Sequence, residues 1–266
     1  MGIYKSDFAS DLIKDDNSDE EYTLEKEIIE NIQITTIELH KDSKALNKRK
    51  GTYITIDFSY DLEHFNFISK IVCNKLSEML KGKYKNFIVV GLGNNNILVD
   101  SLGPKSISNI MVTSHLMNRK ENVNKVSAIA PGAYGQTGIQ VLDIIKSIVK
   151  SDTYDVAIII DALCTNDFNR LNSCIQISNT GIQGGSALHK VNKAINEDSL
   201  GIPVISIGIA TVINLKAMIS SCCEECSNIF DKCDYLVCDK NIDRDINELS
   251  MIISNGVNML VNPNLF

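Results

Sequence analysis

No stretch of this 266-residue sequence is apolar for long enough to cross a membrane. The first twenty residues alternate polar and charged groups (Lys5, Asp7, Asp11, Lys14, Asp15, Asp16) and hold no signal-peptide core. A soluble cytoplasmic protein is expected. Basic residues are also in short supply, with 26 Lys and Arg against 33 Asp and Glu and a net charge of -7. That balance lacks the concentrated basic footprint of a phosphate-backbone binder, so nucleic acid is not expected as a direct partner. The glycines of phosphate-binding loops are missing too. Gly91-Leu92-Gly93 follows an apolar run, but Asn96 stands where a dinucleotide fingerprint has its third glycine, and no loop ends in Gly-Lys-Ser or Gly-Lys-Thr. Gly184-Gly185-Ser186 lacks the closing glycine of a hydrolase elbow, because position 188 is Leu, so a serine triad is not expected.

Cysteine, by contrast, is plentiful, and without a secretory signal the eight residues read as thiols. Cys223 and Cys226 have the two-residue gap of zinc sites, and Cys233 and Cys238 offer two further thiolates. The wider gap of that second pair, and the helically spaced apolar segment before the cluster (Val212, Ile213, Leu215, Met218, Ile219), favour small buried thiols instead. Neither a metal nor a cofactor is expected.

Along the chain, residues 1–21 are polar and acidic and suit an exposed or mobile arm. Residues 22–266 read as a single domain. A short helical stretch is expected after Thr23, then two alternating runs, Ile32 to Leu39 and Thr52 to Phe58, flanking a basic turn from Lys41 to Lys50. Phe65, Ile68, Val72, Leu76 and Met79 share a helical face that stops before Gly82. The apolar run Phe87 to Val90 halts at Gly91 and opens into a polar loop reaching Pro104, as a buried parallel strand and its functional end would. Next come a predicted helix from Ser106 to Met117, a strand from Val126 to Ala130, and a helix carrying Ile139, Leu142, Ile145 and Val149. A strand from Val156 to Ile160 ending on Asp161, a strand from Val204 to Ile209, and a final helix with Ile242, Ile246, Leu249 and Ile253 complete the pattern. This alternation predicts a three-layer α/β domain with a mostly parallel central sheet.

In such sheets ligands gather beyond the carboxyl ends of the strands. Two carboxylates fall there: Asp161, directly after five apolar residues, and Asp100, in the loop from Gly91 to Pro104. Desolvation at the rim of the core raises a carboxyl pKa. Two neighbouring carboxyls sharing a proton would let one activate water while the other polarises a carbonyl. The plainer alternative is that each Asp caps the following helix. Cys164 with His115 or His189 is a further candidate, as a thiol nucleophile and its base.

Five ordered stretches carry a resemblance: Gly91-Leu92-Gly93-Asn94 with Asp100-Ser101-Leu102-Gly103-Pro104, Pro131 to Gly138, Ile160-Asp161-Ala162-Leu163, Ile175 to Ile182, and Gly201 to Gly208. In this order they resemble the germination protease family of spore-forming bacteria. The resemblance implies a fold similar to hydrogenase maturation proteases and a self-processing zymogen that degrades small acid-soluble spore proteins in the forespore and spore core. It implies a homotetramer, and a catalytic aspartate pair corresponding to Asp100 and Asp161. Family substrates are cut in a sequence like Thr-Glu-(Phe or Ile)-Ala-Ser-Glu, and Ser6-Asp7-Phe8-Ala9-Ser10-Asp11 resembles that site. Self-cleavage between Asp7 and Phe8 is therefore expected, with residues 1–7 as the propeptide. Substrate contacts are expected from Asn94, Lys105, Thr180 and Gly181, with Lys105, Arg119 and Lys120 as candidate cations for the acidic residues around the bond. The chain departs from the family at Asn166, where an arginine is usual, at Gln183 to His189, and at Ala210 to Asn214. Those departures leave an inactive spore-protein-binding relative as one alternative. A metal-dependent maturation-type protease, with the aspartates as nickel ligands, is another.

Overall fold

The computed structural model describes residues 6–13, 21–44, 46–59, 65–116, 123–182, 193–222 and 235–265. Among these residues nine strands form one sheet: β1 (Tyr22–Ile29), β2 (Ile32–Leu39), β3 (Gly51–Asp57), β4 (Asn86–Gly91), β5 (Lys125–Ile129), β6 (Val156–Thr165), β7 (Cys174–Ser178), β8 (Val204–Asn214) and β9 (Leu236–Val237). Their spatial order is β1-β2-β3-β7-β8-β6-β4-β5, with β9 added to β8. Parallel pairing is confined to β5-β4-β6-β8, and the β1-β2-β3-β7 side joins β8 through antiparallel pairs.

The three-layer α/β arrangement follows from the period-2 alternation of strands that are apolar on both sides. Val89, Ile158 and Ile160 point to one face, where α2 (Phe65–Met79), α3 (Leu102–Ser108) and α8 (Ile242–Val261) bury Ile68, Val72, Leu102, Ile246 and Leu249. Ile88, Val90, Ala157 and Ile159 point the other way, onto α5 (Val141–Ser151) and α6 (Glu197–Leu200) through Leu142, Ile145 and Leu200. Each Val, Leu or Ile side chain among them contributes about 1.5–3 kcal/mol when fully buried. Short turns at Ala9–Leu12 (α1) and Tyr134–Thr137 (α4), and α7 (Leu215–Cys222), complete the helices. Among the described residues no helix is long and apolar enough to cross a membrane.

Several expectations change. The segment after Thr23 is strand β1, not a helix. It lies at the sheet edge with one side bare, so its period-2 signal is diluted. The helix expected from Ser106 to Met117 instead runs from Leu102 to Ser108. Pro104 fits its first turn, where backbone N–H groups have no helical partner. Asn258 of α8 ends it by donating to the Asn109 carbonyl and accepting from Met111 N. Asp161 does not end its strand, because β8 carries the ladder alongside β6 as far as Thr165. The strand that ends at this level is β4, whose last pair is Gly91 with Ile160. Finally, residues 6–13 of the expected mobile arm are docked on the body of the protein, with Phe8 and Ala9 fully buried. Cys223, Cys226, Cys233, Arg119, Lys120 and Gln183 to His189 lie outside the described residues.

Candidate active site

Because β4 stops while β6 continues, Asp161 has a ladder partner on one side and the loop after β4 on the other. That loop returns through a 3-10 turn, Leu98–Asp100. Asn94 N donates to both the backbone carbonyl (3.1 Å) and the Oδ2 (2.9 Å) of Asp100, which closes the loop on itself. The closure needs Gly93, at φ +114°, since a Cβ there would stand 2.0 Å from the Asp100 carbonyl oxygen. Thr211 of β8 donates to Val99 O at 2.8 Å and ties the turn to the sheet.

Asp161 is 8% exposed and its Oδ1 accepts from Ala162 N at 2.9 Å. Burial pushes its carboxyl well above the usual carboxylate range, and the negative charges of Asp100 and Asp7 push it further the same way. Asp161 therefore keeps a proton under conditions where an exposed Asp is ionised. The Cys164 thiol is likewise pushed up by burial, to about 12, which removes it as a ready nucleophile.

Register places Asp161, Gly208 and Gln176 in one row across β6, β8 and β7, continued by Thr55 on β3. Residues in one row face the same side. Gly208, lacking a side chain, opens a trough between Asp161 and Gln176, about two strand spacings or roughly 10 Å across. A Cβ at Gly208 would crowd the Asp161 carbonyl oxygen at 2.5 Å.

The N-terminal segment docks here. Asp7 N donates to Cys164 O (2.9 Å), while Cys164 N donates to Asp7 Oδ2 (2.8 Å). Phe8 fills a pocket formed by Leu163, Cys174, Ala210 and Ile182. Gln176 spans the Asp7–Phe8 bond, with Nε2 donating to Asp7 O (2.7 Å) and Oε1 accepting from Ala9 N (2.8 Å). Lys48 Nζ donates to Asp7 O at 2.7 Å and to Ser6 O at 3.3 Å. Downstream, Ser10 meets Thr55 and Arg170. Asp11, whose side chain is 2% exposed, accepts from Arg170, from Thr165 Oγ1 (2.9 Å) and from Asn166 N (2.8 Å). Asp57 holds Arg170 from behind at 3.0 Å.

The residues expected from sequence are distributed unevenly around this groove. Asp7, Thr180 and Gly181 line one cavity of about 600 Å³ together with Lys48 and Gln176. Asn94 belongs to the Asp100 loop and accepts from Gln136 Nε2 at 2.5 Å. Lys105, expected as a cationic contact, instead donates to Asn247 Oδ1 on α8 at 2.8 Å, on an exposed helix face. Among the described residues the cations that meet the segment are Lys48 and Arg170, and neither carries a local sequence signal. Lys48 belongs to the basic turn before β3, and an acidic arm on the same chain was the available hint. Asn166 stands where the family resemblance implies an arginine, yet its backbone N and the Arg170 guanidinium converge on the same Asp11 carboxylate. Among the described residues no group of three or more His, Cys, Asp or Glu side chains converges as a metal site would.

Comparison with known proteins supplies the remaining context. The family model described as germination protease matches residues 4–232. The germination protease of Clostridium acetobutylicum is 34% identical, over 95% of this chain and 91% of its own length. That of Caldanaerobacter subterraneus is 33% identical over 89% and 86%, and that of Bacillus subtilis 38% identical over 69% and 54%. Among solved structures, the [NiFe] hydrogenase maturation protease HycI of Thermococcus kodakarensis aligns at a TM-score of 0.39 and 11% identity, covering 69% of this chain and 98% of that one.

Proposed function

The chain belongs to the germination protease family, a family of peptidases, and from that premise we propose that it cuts its own Asp7–Phe8 bond. We propose equally that it opens similar bonds in small acid-soluble spore proteins, with Asp100 and Asp161 as the proton-handling pair. One observation carries the reading: the substrate-like segment Ser6 to Asp11 lies in the groove beside Asp161, contacted at successive positions. While intact, it fills the space that a second polypeptide would need. The uncut chain is therefore the zymogen, inhibited by its own substrate mimic, and loss of residues 1–7 is the activating event.

The environments divide the labour. Asp161, buried and holding its proton, is the acid that protonates the departing Phe8 nitrogen. Asp100, less buried and on the loop side, takes the proton from the attacking water. The pair titrates as a unit, so activity should follow the fraction of molecules carrying one proton between them.

Mass spectrometry of the N-terminus tests the reading. Wild-type protein should lose residues 1–7 as a single fragment, whereas Asp161→Asn and Asp100→Asn should each slow the loss by at least about 10³-fold with the fold intact. Trimming by Asp161→Asn at the wild-type rate would remove the dyad.

A further inference from the structure

Resting on that reading, we infer that Lys48 and Gln176 are catalytic residues of this peptidase, together forming the site that holds the developing oxyanion of the cleaved peptide bond. The carbonyl of the bond to be broken, Asp7 C=O, accepts from Lys48 Nζ at 2.7 Å and from Gln176 Nε2 at 2.7 Å. A peptide carbonyl is ordinarily satisfied by a neutral backbone N–H. Two side-chain donors on one oxygen, one of them an ammonium, match an oxygen about to gain charge.

Both donors are held in place by their surroundings. Gln176 is 8% exposed on β7, and its Oε1 is engaged by Ala9 N, so the amide cannot turn its nitrogen away from the carbonyl. Its grip on both flanks of the bond holds Asp7 at the cavity that Lys48, Gln176 and Gly208 also line, and register puts Asp161 in the same row on the far side of Gly208. Lys48 arrives from the turn before β3, and its Nζ straddles the carbonyls of Ser6 and Asp7. Burial lowers its pKa, while Asp7 and Asp11 offset that in part. An ammonium desolvated in this way gains most from a negative charge forming against it, which occurs in the tetrahedral intermediate and not in the bound substrate.

The chemistry balances without a further reagent. Water oxygen bonds to the Asp7 carbonyl carbon as its proton passes to Asp100, and the carbonyl π pair moves onto the oxygen held by Lys48 and Gln176. That pair returns as the bond from carbon to Phe8 nitrogen breaks, and Asp161 gives the nitrogen its proton. The products are a carboxyl at Asp7 and an amine at Phe8. The carbonyl is thus polarised by a cation and an amide, which leaves both aspartates free to move protons. Sequence alone had assigned the polarising role to the protonated aspartate.

The test is made in the full-length chain, with two readouts on the same samples. The first-order rate of loss of residues 1–7 is measured by mass spectrometry, and docking of the segment by hydrogen exchange at the Phe8 to Asp11 amides. Lys48→Met and Gln176→Leu should each slow trimming about 10²–10³-fold, the loss typical of one oxyanion donor, while exchange protection persists. Lys48→Arg, which keeps a cationic donor, should recover at least tenfold over Lys48→Met. Wild-type trimming in both Lys48→Met and Gln176→Leu would overturn the assignment, as would slowing in step with lost protection, which would make the two residues mere binding contacts. Either result, obtained with wild-type protein that trims and Asp161→Asn protein that does not, would leave the dyad standing. A wild-type chain that never trims would overturn both.

Discussion

The two halves of the sheet divide the site between them. The parallel half, β5-β4-β6-β8, supplies the carboxyls of the proposed dyad: Asp161 from the middle of β6 and Asp100 from the loop that β4 releases when it stops. The antiparallel half supplies the grip, with Lys48 before β3, Thr55 on β3, Gln176 on β7 and Arg170 just ahead of β7. Strand ends that diverge leave room for chemistry, whereas a row of side chains across paired strands offers a ruler for an extended peptide. A peptidase that reads several residues around one bond needs both, and the β7-β8 pairing joins them along the row containing Gly208 and Gln176.

The largest effect is expected on the gripping side. Arg170→Met leaves Asp11 buried without its guanidinium, a loss of about 3–5 kcal/mol for a pair of this kind. The segment should leave the groove, seen as rapid hydrogen exchange at Ala9 to Asp11, and the proposed self-trimming should stop although the proposed dyad is untouched. Adding Asp11→Leu should restore part of the docking, because the deeply buried charge is then gone and only the more exposed Asp57 is left without its cation. Next in size, Phe8→Ala empties the pocket of Leu163, Cys174 and Ala210 at a cost of about 3 kcal/mol. It should weaken docking and slow trimming together, which one exchange and mass-spectrometry series would reveal.

On the chemical side the effect concerns stability and has a definite sign. A carboxyl whose folded pKa is raised favours the folded state below its unfolded pKa and disfavours it progressively as pH climbs towards the folded value. Asp161→Asn should therefore melt higher than wild type at pH 7, with the difference vanishing below about pH 4, where an unfolded Asp also holds its proton. At this chain length each kcal/mol corresponds to about 2–4 °C in Tm. The smallest effect is expected at Lys105, which is engaged with Asn247 on an exposed surface. Lys105→Ala should change stability by no more than about 0.5 kcal/mol and leave the trimming rate unaltered.

Legibility followed the same division. β4, β6 and β8 were readable because strands covered on both faces are continuous apolar runs, and α2, α5 and α8 because one apolar stripe recurs at helical spacing. β1 was misread because an edge strand with one bare side loses its alternation. Ile175 to Ile182 carries a motif, but only its pairing with β8 makes β7 the strand that turns Gln176 towards the groove. Lys48 and Arg170 are not legible in the sequence, because an isolated cation carries no local signal. Each acquires meaning from a carboxylate or carbonyl more than thirty residues away in the chain.

By itself the sequence determined the layer architecture, and it offered the two carboxyls of the proposed dyad and the segment proposed as a substrate mimic, since these rest on local periodicity and on motifs contiguous in the chain. Tertiary structure alone decided that Asp161 lies within a strand, that the segment is seated in the groove, and that Lys48, Gln176 and Arg170 are the groups that hold it. The physical reason is that a hydrogen bond or ion pair depends on distance in space, and here that distance is set by the pairing of β3, β7, β8 and β6 across the sheet.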